Sequence, residues 1–290
     1  MITAIHHIGI AVQSLSEAYR LYRDVLGLPL VKEAEIADQG VRAALLAAGD
    51  SEIELLEPLG ANSGMGRFIA RHGEGLHHIC FGTPDVAAEL TAAKDKGADL
   101  IDATPRAGLA GRIGFLHPRS CAGVLVELAT PFEVAPGIEV AGSRAAPAIE
   151  VAGSRASPAI EVAGSRASPA RSGSPHAGPG LRLKRLIIGA KEPRETAGLF
   201  QRLFAFPEIA INGGTRVMLA VGRGALLLVP AGEVGGTEGM VAISMVSDDF
   251  DQLTASLASA GTRGVLRGTG EVTLEPLATH GVHLHISRYD

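Results

Sequence analysis

Two histidine doublets, His6-His7 in "IHHIGIAV" and His77-His78 in "GLHHICF", stand in apolar segments that read as strands. Glu54, in "IELLEPL", follows His7 by 47 residues, and Glu127, in "GVLVELAT", follows His78 by 49. A carboxylate set among apolar side chains is costly to bury unpaired, and here the pattern occurs twice at matched places. Side chains alternate along a strand, so His7 shares a face with Gly9 and Ala11, and His78 with Cys80 and Gly82. Those small neighbours leave space, and one histidine of each doublet is expected to use it. Two imidazoles and two carboxylates converging on one point suit a borderline divalent cation, Co²⁺, Zn²⁺, Mn²⁺ or Ni²⁺, better than Mg²⁺. On this reading His6 and His77 pack or hydrogen-bond behind the sheet, Cys80 fills core space and Glu57 is a surface residue.

The elements that must position these groups recur in order. "AIHHIGIAV" is a strand, and Ser14 with Glu17 forms a capping box for a helix that Gly27 stops. "GVRAALLAAG" and "EIELLEPL" are strands around a Gly49-Asp50 turn. A second pass follows: "LHHICFGT", a helix from Asp85 to Lys96 stopped by Gly97, a strand near "ADLID", then "RIGFLHP" and "GVLVELAT". Both passes are βαβββ, so residues 1–130 are expected to form a metal-binding α+β domain of two tandem modules. Residues 131–180 read as a low-complexity linker. There an 11-residue unit, "IEVAGSRAAPA" then twice "IEVAGSRASPA", runs from Ile138 to Ala170, and each unit carries Pro and Gly-Ser breakers. Residues 181–290 repeat the modular pattern, with "LKRLIIGA", a helix opened by Pro193, "ALLLVP", "MVAISMVS", a helix near Asp249–Ala260 and "GVHLHIS". Aligning these segments puts Arg185, Leu226, Ala242 and His285 at the places of His7, Glu54, His78 and Glu127. The second domain is therefore expected to lack most metal ligands.

The ordered motifs "HHIGIAV", "YRDVLGL", "QGVRAALL", "IELLEPLG", "GLHHICF" and "GFLHPRSCAGVLVEL" resemble the methylmalonyl-CoA epimerases, members of the vicinal-oxygen-chelate superfamily of paired βαβββ modules. The resemblance spans about residues 1–130. It implies His7, His78 and Glu127 as metal ligands, with Glu54 a fourth ligand or a base. It also implies a divalent ion, cobalt first with Mn²⁺, Ni²⁺ or Zn²⁺ behind it, and an acyl-CoA substrate epimerised at C2. Glu127, together with Glu54, is expected to move the proton. Ala43 or a neighbour stands where some members carry a further carboxylate, so a second base is not assigned from that strand. The family suggests a homodimer, and a fused second domain is the alternative partner. Rival readings of the same scaffold are a glyoxalase-type lyase, an extradiol-type dioxygenase on a His₂Glu triad, and a non-catalytic small-molecule binder.

Composition narrows the remainder. Of 290 residues 46% are hydrophobic and 20% charged, with a formal net charge of −5, which gives a nucleic-acid surface no electrostatic support. Aromatics are 4% and Trp is absent, which disfavours base stacking. Two cysteines without motif spacing, no basic-then-apolar leader and no span-length apolar run lead to an expectation of a cytoplasmic protein with no membrane partner. Arg67 and Arg119 are read as solvated surface residues, with CoA phosphate contact as the alternative.

Overall fold

The computed structural model describes residues 1–131, 179–212, 214–262, 264–267 and 269–289. The 11-residue repeats and most of the segment read as a linker lie outside the described residues.

The first pass builds β1 (Ala4–Ala11), α1 (Leu15–Tyr19), β2 (Leu30–Ile36), β3 (Val41–Ala48) and β4 (Ser51–Pro58). Ser14 caps α1, its Oγ accepting from the Glu17 N–H at 3.4 Å. The second cap comes from Glu57, whose carboxylate accepts the Leu15 N–H at 2.6 Å. Glu57 is thus a partly buried capping group rather than a surface residue. Beyond Tyr19 the helix widens into a π turn over Arg20–Val25, and Gly27, at φ 69°, ends it.

A short helix not legible in the periodicity, α2 (Gly64–His72), leads to the second pass. That pass comprises β5 (Gly75–Gly82), α3 (Val86–Asp95), β6 (Arg106–Gly108), β7 (Gly111–Leu116) and β8 (Val126–Thr130). Asp85 caps α3 through the Ala88 N–H at 3.0 Å. The segment "ADLID" is not a strand: Leu100 makes one isolated bridge to Leu116, and β6 supplies the extra strand instead.

These strands form one sheet in the order β2-β3-β4-β1-β5-β8-β7-β6. The central pair β1–β5 is antiparallel, while β1–β4 and β5–β8 are parallel, so each module flanks the centre in the same way. One face, with Ile8, Ile10, Ile79, Phe81 and Leu128, packs into the main core with α1 and α3. The opposite face carries two smaller apolar clusters, one per module. Ala11, Val41, Leu45, Leu56 and Met65 make one; Cys80, Ala110, Ile113 and Ala129 make the other.

The second sheet contains β9 (Leu181–Ala190), β10 (Glu208–Ile209), β11 (Val217–Val221), β12 (Gly224–Pro230), β13 (Gly239–Ser247), β14 (Gly264–Arg267), β15 (Glu271–Leu274) and β16 (His283–Ser287). Its order, β10-β11-β12-β9-β13-β16-β15-β14, has the same connectivity. Helices α4 (Pro193–Phe204) and α5 (Phe250–Ser259) take the places of α1 and α3. Both sheets share one core, and Phe81 meets Phe204 and Phe206 with ring centroids 5.4 and 5.1 Å apart.

Their contacts are reciprocal. Gly49 in the β3–β4 turn lies against Arg182 at the start of β9, while its counterpart Gly222 lies against Thr3 and Ala4 at the start of β1. A Cβ on Gly49 would stand 2.5 Å from Arg182 Cβ, and one on Gly222 2.6 Å from the Thr3 carbonyl oxygen. Gly75 faces Gly281, and Gly239 faces Gly123, in the same reciprocal manner. Asp50 and Arg223 hold equivalent turn positions and pair with each other at 2.8 Å. This is the isologous arrangement of a two-fold pair, contained in one chain. No helix among the described residues is long and apolar enough to cross a membrane.

Candidate metal centre

Registry brings the four groups together. β1 pairs His7 with Glu52 and Gly9 with Glu54 on β4, while β5 pairs Cys80 with Glu127 on β8. His7, Glu54, His78 and Glu127 are all buried and each offers a donor atom within 4.8 Å of every other. His7 Nε2 is 2.9 Å from His78 Nε2 and 3.2 Å from Glu127 Oε2. His78 Nε2 is 2.9 Å from the same Glu127 oxygen. Glu54 Oε2 is slightly more distant, 3.5 Å from His7 and 3.4 Å from His78.

Those spacings fit a shared cation. Donors about 2.1 Å from one ion stand about 3.0 Å apart at right angles and about 3.4 Å apart at tetrahedral angles. The five separations, 2.9 to 3.5 Å, lie within about 0.1 Å of that range. Two imidazoles and two carboxylates form a mixed nitrogen–oxygen set suited to a borderline divalent metal.

Without a metal the cluster is strongly polarised. Burial works against a charge on His78, but Glu127 and Glu54 outweigh it and raise the imidazole from 6.5 to about 9. Burial likewise works against Glu127, yet His7 and His78 hold it well below the usual carboxylate range. Cys80 is pushed up by burial and by Glu127, Glu54 and Glu52, so it stays a thiol.

The outer histidines differ from the alternation reading. In the β1–β5 ladder Ile5 pairs with Phe81 and His7 with Cys80, leaving His6 as an extra residue. Gly9 pairs with His78 and Ile10 with Leu76, leaving His77 extra on the other strand. Each doublet therefore sits on a β-bulge, which cancels the alternation locally. His6 and His77 are not behind the sheet. His6 Nδ1 is 3.1 Å from His7 Nδ1, and His77 Nδ1 is 3.0 Å from His78 Nδ1, with rings edge-on at 87° and 88°. Burial, then the adjacent inner ring, lowers His6 to about 4 and His77 to about 3, so both are neutral near pH 7. The repetition of the doublet in both modules is the one mark in the sequence that could have shown this.

The cluster opens into a cavity of about 580 Å³ lined by Glu54, His77, His78 and Glu127, by Phe68 of α2 and by Phe115 of β7. Arg67, Arg71 and Arg106 also line it. Arg106 is braced by Asp102 at 3.1 Å and lies over the Phe115 ring, with its Nη1 buried and unpartnered. Arg119 pairs instead with Asp99 at 2.8 Å on the exposed surface. Ala43 is buried in an apolar cluster.

The second sheet keeps the frame and loses the donors. Its register pairs Arg185 with Ala225 and Ile187 with Leu227, so Leu227, not Leu226, stands where Glu54 does. Ser244 pairs with His285, which places His285 at the Glu127 position. The equivalent set is thus Arg185, Leu227, Ala242 and His285, and an apolar cluster of Ile187, Val229 and Ala242 fills that face. His285 hydrogen-bonds Thr273 Oγ1 at 2.9 Å.

Residues 6–115 match the family described as the glyoxalase/bleomycin resistance protein/dioxygenase superfamily. The uncharacterized protein YqjC of Bacillus subtilis (strain 168) is 43% identical over 126 residues, 43% of this chain and 90% of that protein. The ethylmalonyl-CoA/methylmalonyl-CoA epimerase of Cereibacter sphaeroides is 35% identical over 131 residues, 44% of this chain and 98% of that enzyme. The mitochondrial methylmalonyl-CoA epimerase of Mus musculus is 33% identical over 126 residues, covering 43% and 71%. A crystal structure of methylmalonyl-CoA epimerase from Mycobacterium tuberculosis is 37% identical, covering 46% of this chain and 90% of that one with a TM-score of 0.44. Through the region that builds its first sheet, the chain belongs to the methylmalonyl-CoA epimerase family of the glyoxalase/bleomycin resistance protein/dioxygenase superfamily.

Proposed function

We propose that the protein is an isomerase that interconverts the 2R and 2S forms of methylmalonyl-CoA, using a divalent metal held by His7, His78, Glu127 and Glu54. One observation carries this reading. Glu54 on β4 and Glu127 on β8 flank the central β1–β5 pair from opposite sides, beside two imidazoles, where the cluster opens into the cavity. Epimerisation removes a proton from one face of C2 and returns one to the other, and a carboxylate on either side can serve as the proton-transferring group for each face.

The C2 proton lies between a thioester and a carboxylate. A divalent cation at this centre supplies Lewis acidity to the oxygens beside C2 and so makes that proton easier to remove. Cobalt is the first candidate, followed by manganese, nickel and zinc, because two nitrogen donors disfavour a hard cation. Glu127 touches both imidazoles at 2.9 and 3.2 Å and is the more firmly held carboxylate. Glu54, with its contacts at 3.4 and 3.5 Å, is freer to act as base on its side. Phe68 and Phe115 shield the centre, and the arginines lining the cavity suit an anionic substrate. The identities to named epimerases support an acyl-CoA substrate.

The test is stereochemical. Purified, metal-supplied protein given pure (2R)-methylmalonyl-CoA should produce the 2S form until the two are equal. Turnover of a methylglyoxal–glutathione adduct or a catechol instead would move the reading to a lyase or a dioxygenase.

A further inference from the structure

We infer that His6 and His77 are positioning residues for the metal centre, resting on the metal-site reading above. Each accepts a hydrogen bond from the Nδ1–H of its inner neighbour and so leaves that neighbour's Nε2 bare toward the shared point. His7 Nε2 and His78 Nε2 are the atoms within 2.9–3.5 Å of the other donors. An imidazole that presents a lone pair at Nε2 carries its proton at Nδ1. The only way two Nδ1 atoms can stand 3.1 or 3.0 Å apart in favourable contact is with one proton between them. The inner ring donates, the outer ring accepts, and the outer ring's own proton sits on its Nε2.

The surroundings brace this arrangement. His77 is held by an edge-on contact with Phe68 of α2, ring centroids 4.7 Å apart.

The second sheet separates this role from simple strand geometry. Its β9–β13 ladder has bulges at the matching places, where Lys184 and Val241 are the extra residues. The bulge therefore forms without an imidazole. In that sheet the pairs read Lys184-Arg185 and Val241-Ala242, so outer and inner rings are missing together. The outer ring accompanies the metal donors, not the bulge.

The experiment measures Co²⁺ binding to the full chain by competition with a chromophoric chelator, alongside the visible Co²⁺ spectrum and melting of the metal-free protein. His6→Leu and His77→Leu each remove the acceptor and should weaken Co²⁺ binding about 10–100-fold. His77→Asn restores a neutral acceptor oxygen and should recover most of that loss. Leucine variants that bind Co²⁺ within about twofold of the parent, or an asparagine variant no better than leucine, would overturn the inference. Should the leucine variants not fold, nitrogen-15 NMR of the unmodified Zn²⁺-loaded protein decides it. Protons at Nδ1 of His7 and His78 and at Nε2 of His6 and His77 are expected; a proton at Nδ1 of either outer ring contradicts the assignment. A parent protein that binds neither metal overturns the metal-site reading itself, a result distinct from both.

Discussion

His7 Nε2 and His78 Nε2 stand 2.9 Å apart on neighbouring antiparallel strands, with Glu127 Oε2 within 3.2 Å of both. Three groups from positions 7, 78 and 127 meet because each module supplies one inner strand to the centre of the sheet and one strand beside it. That relationship makes the cluster on the first sheet a candidate metal centre and exposes it to direct tests.

The stoichiometry should be one divalent ion per chain. His7→Ala and His78→Ala should each lower the bound metal to below a tenth of an equivalent, measured by elemental analysis after desalting. A second equivalent that survives in both variants would point to the second sheet, where Arg185, Leu227 and Ala242 offer no suitable donors.

The carboxylates should separate in their effects. Glu54→Gln should reduce turnover by about 10²–10⁴-fold while weakening Co²⁺ binding less than Glu127→Gln does, because Glu54 stands farther from the imidazoles. Glu127→Gln should weaken both, because that side chain touches both imidazoles. Equal metal affinities in the two variants, measured by titration, would contradict the division of roles.

After chelation the His78–Glu127 pair should govern stability against pH. His78 is raised from 6.5 to about 9, so its contribution is full below 6.5 and is lost as pH rises through about 9. Glu127 is depressed below 4.5, so its contribution is present above 4.5 and is lost as pH falls toward its folded value. Melting of the metal-free protein should thus show this pair at full strength between about pH 4.5 and 6.5 and declining toward pH 9. Metal must displace the His78 proton, so Co²⁺ affinity should rise with pH up to about 9.

The fold was legible in the sequence where side chains follow a plain period. The inner strands, α3 with its Asp85 cap and Gly97 stop, and the modular repeat in both sheets could all be read. Alternation misplaces the outer histidines because it holds only in an unbulged ladder, and a bulge is set by pairing with a distant strand. Segment alignment points to Leu226 where the register gives Leu227 for a related reason: an all-apolar strand leaves no polar mark to count from. The "LVKEAEI" strand was hidden by its exposed, charged side chains, and α2 by its brevity and its glycines.

The two sheets should hold together without their covalent connection. Phe81, Phe204 and Phe206 share the core, Tyr22 Oη donates to the Thr279 carbonyl at 3.0 Å, and His280 pairs with Glu74 at 3.0 Å. Cleavage at a protease site engineered between residues 132 and 178 should leave fragments that co-elute on size exclusion. Phe204→Ala should destabilise the chain by about 3–5 kcal/mol, read from denaturant melts.

The most direct measurement is solvent deuterium entry at C2 of methylmalonyl-CoA in D₂O, followed by NMR on metal-loaded and chelated protein. The four-residue centre predicts rapid exchange with metal, loss of at least a hundredfold on chelation and recovery when a divalent ion is returned. Exchange that continues unchanged in the chelated protein, or in His78→Ala, would contradict it.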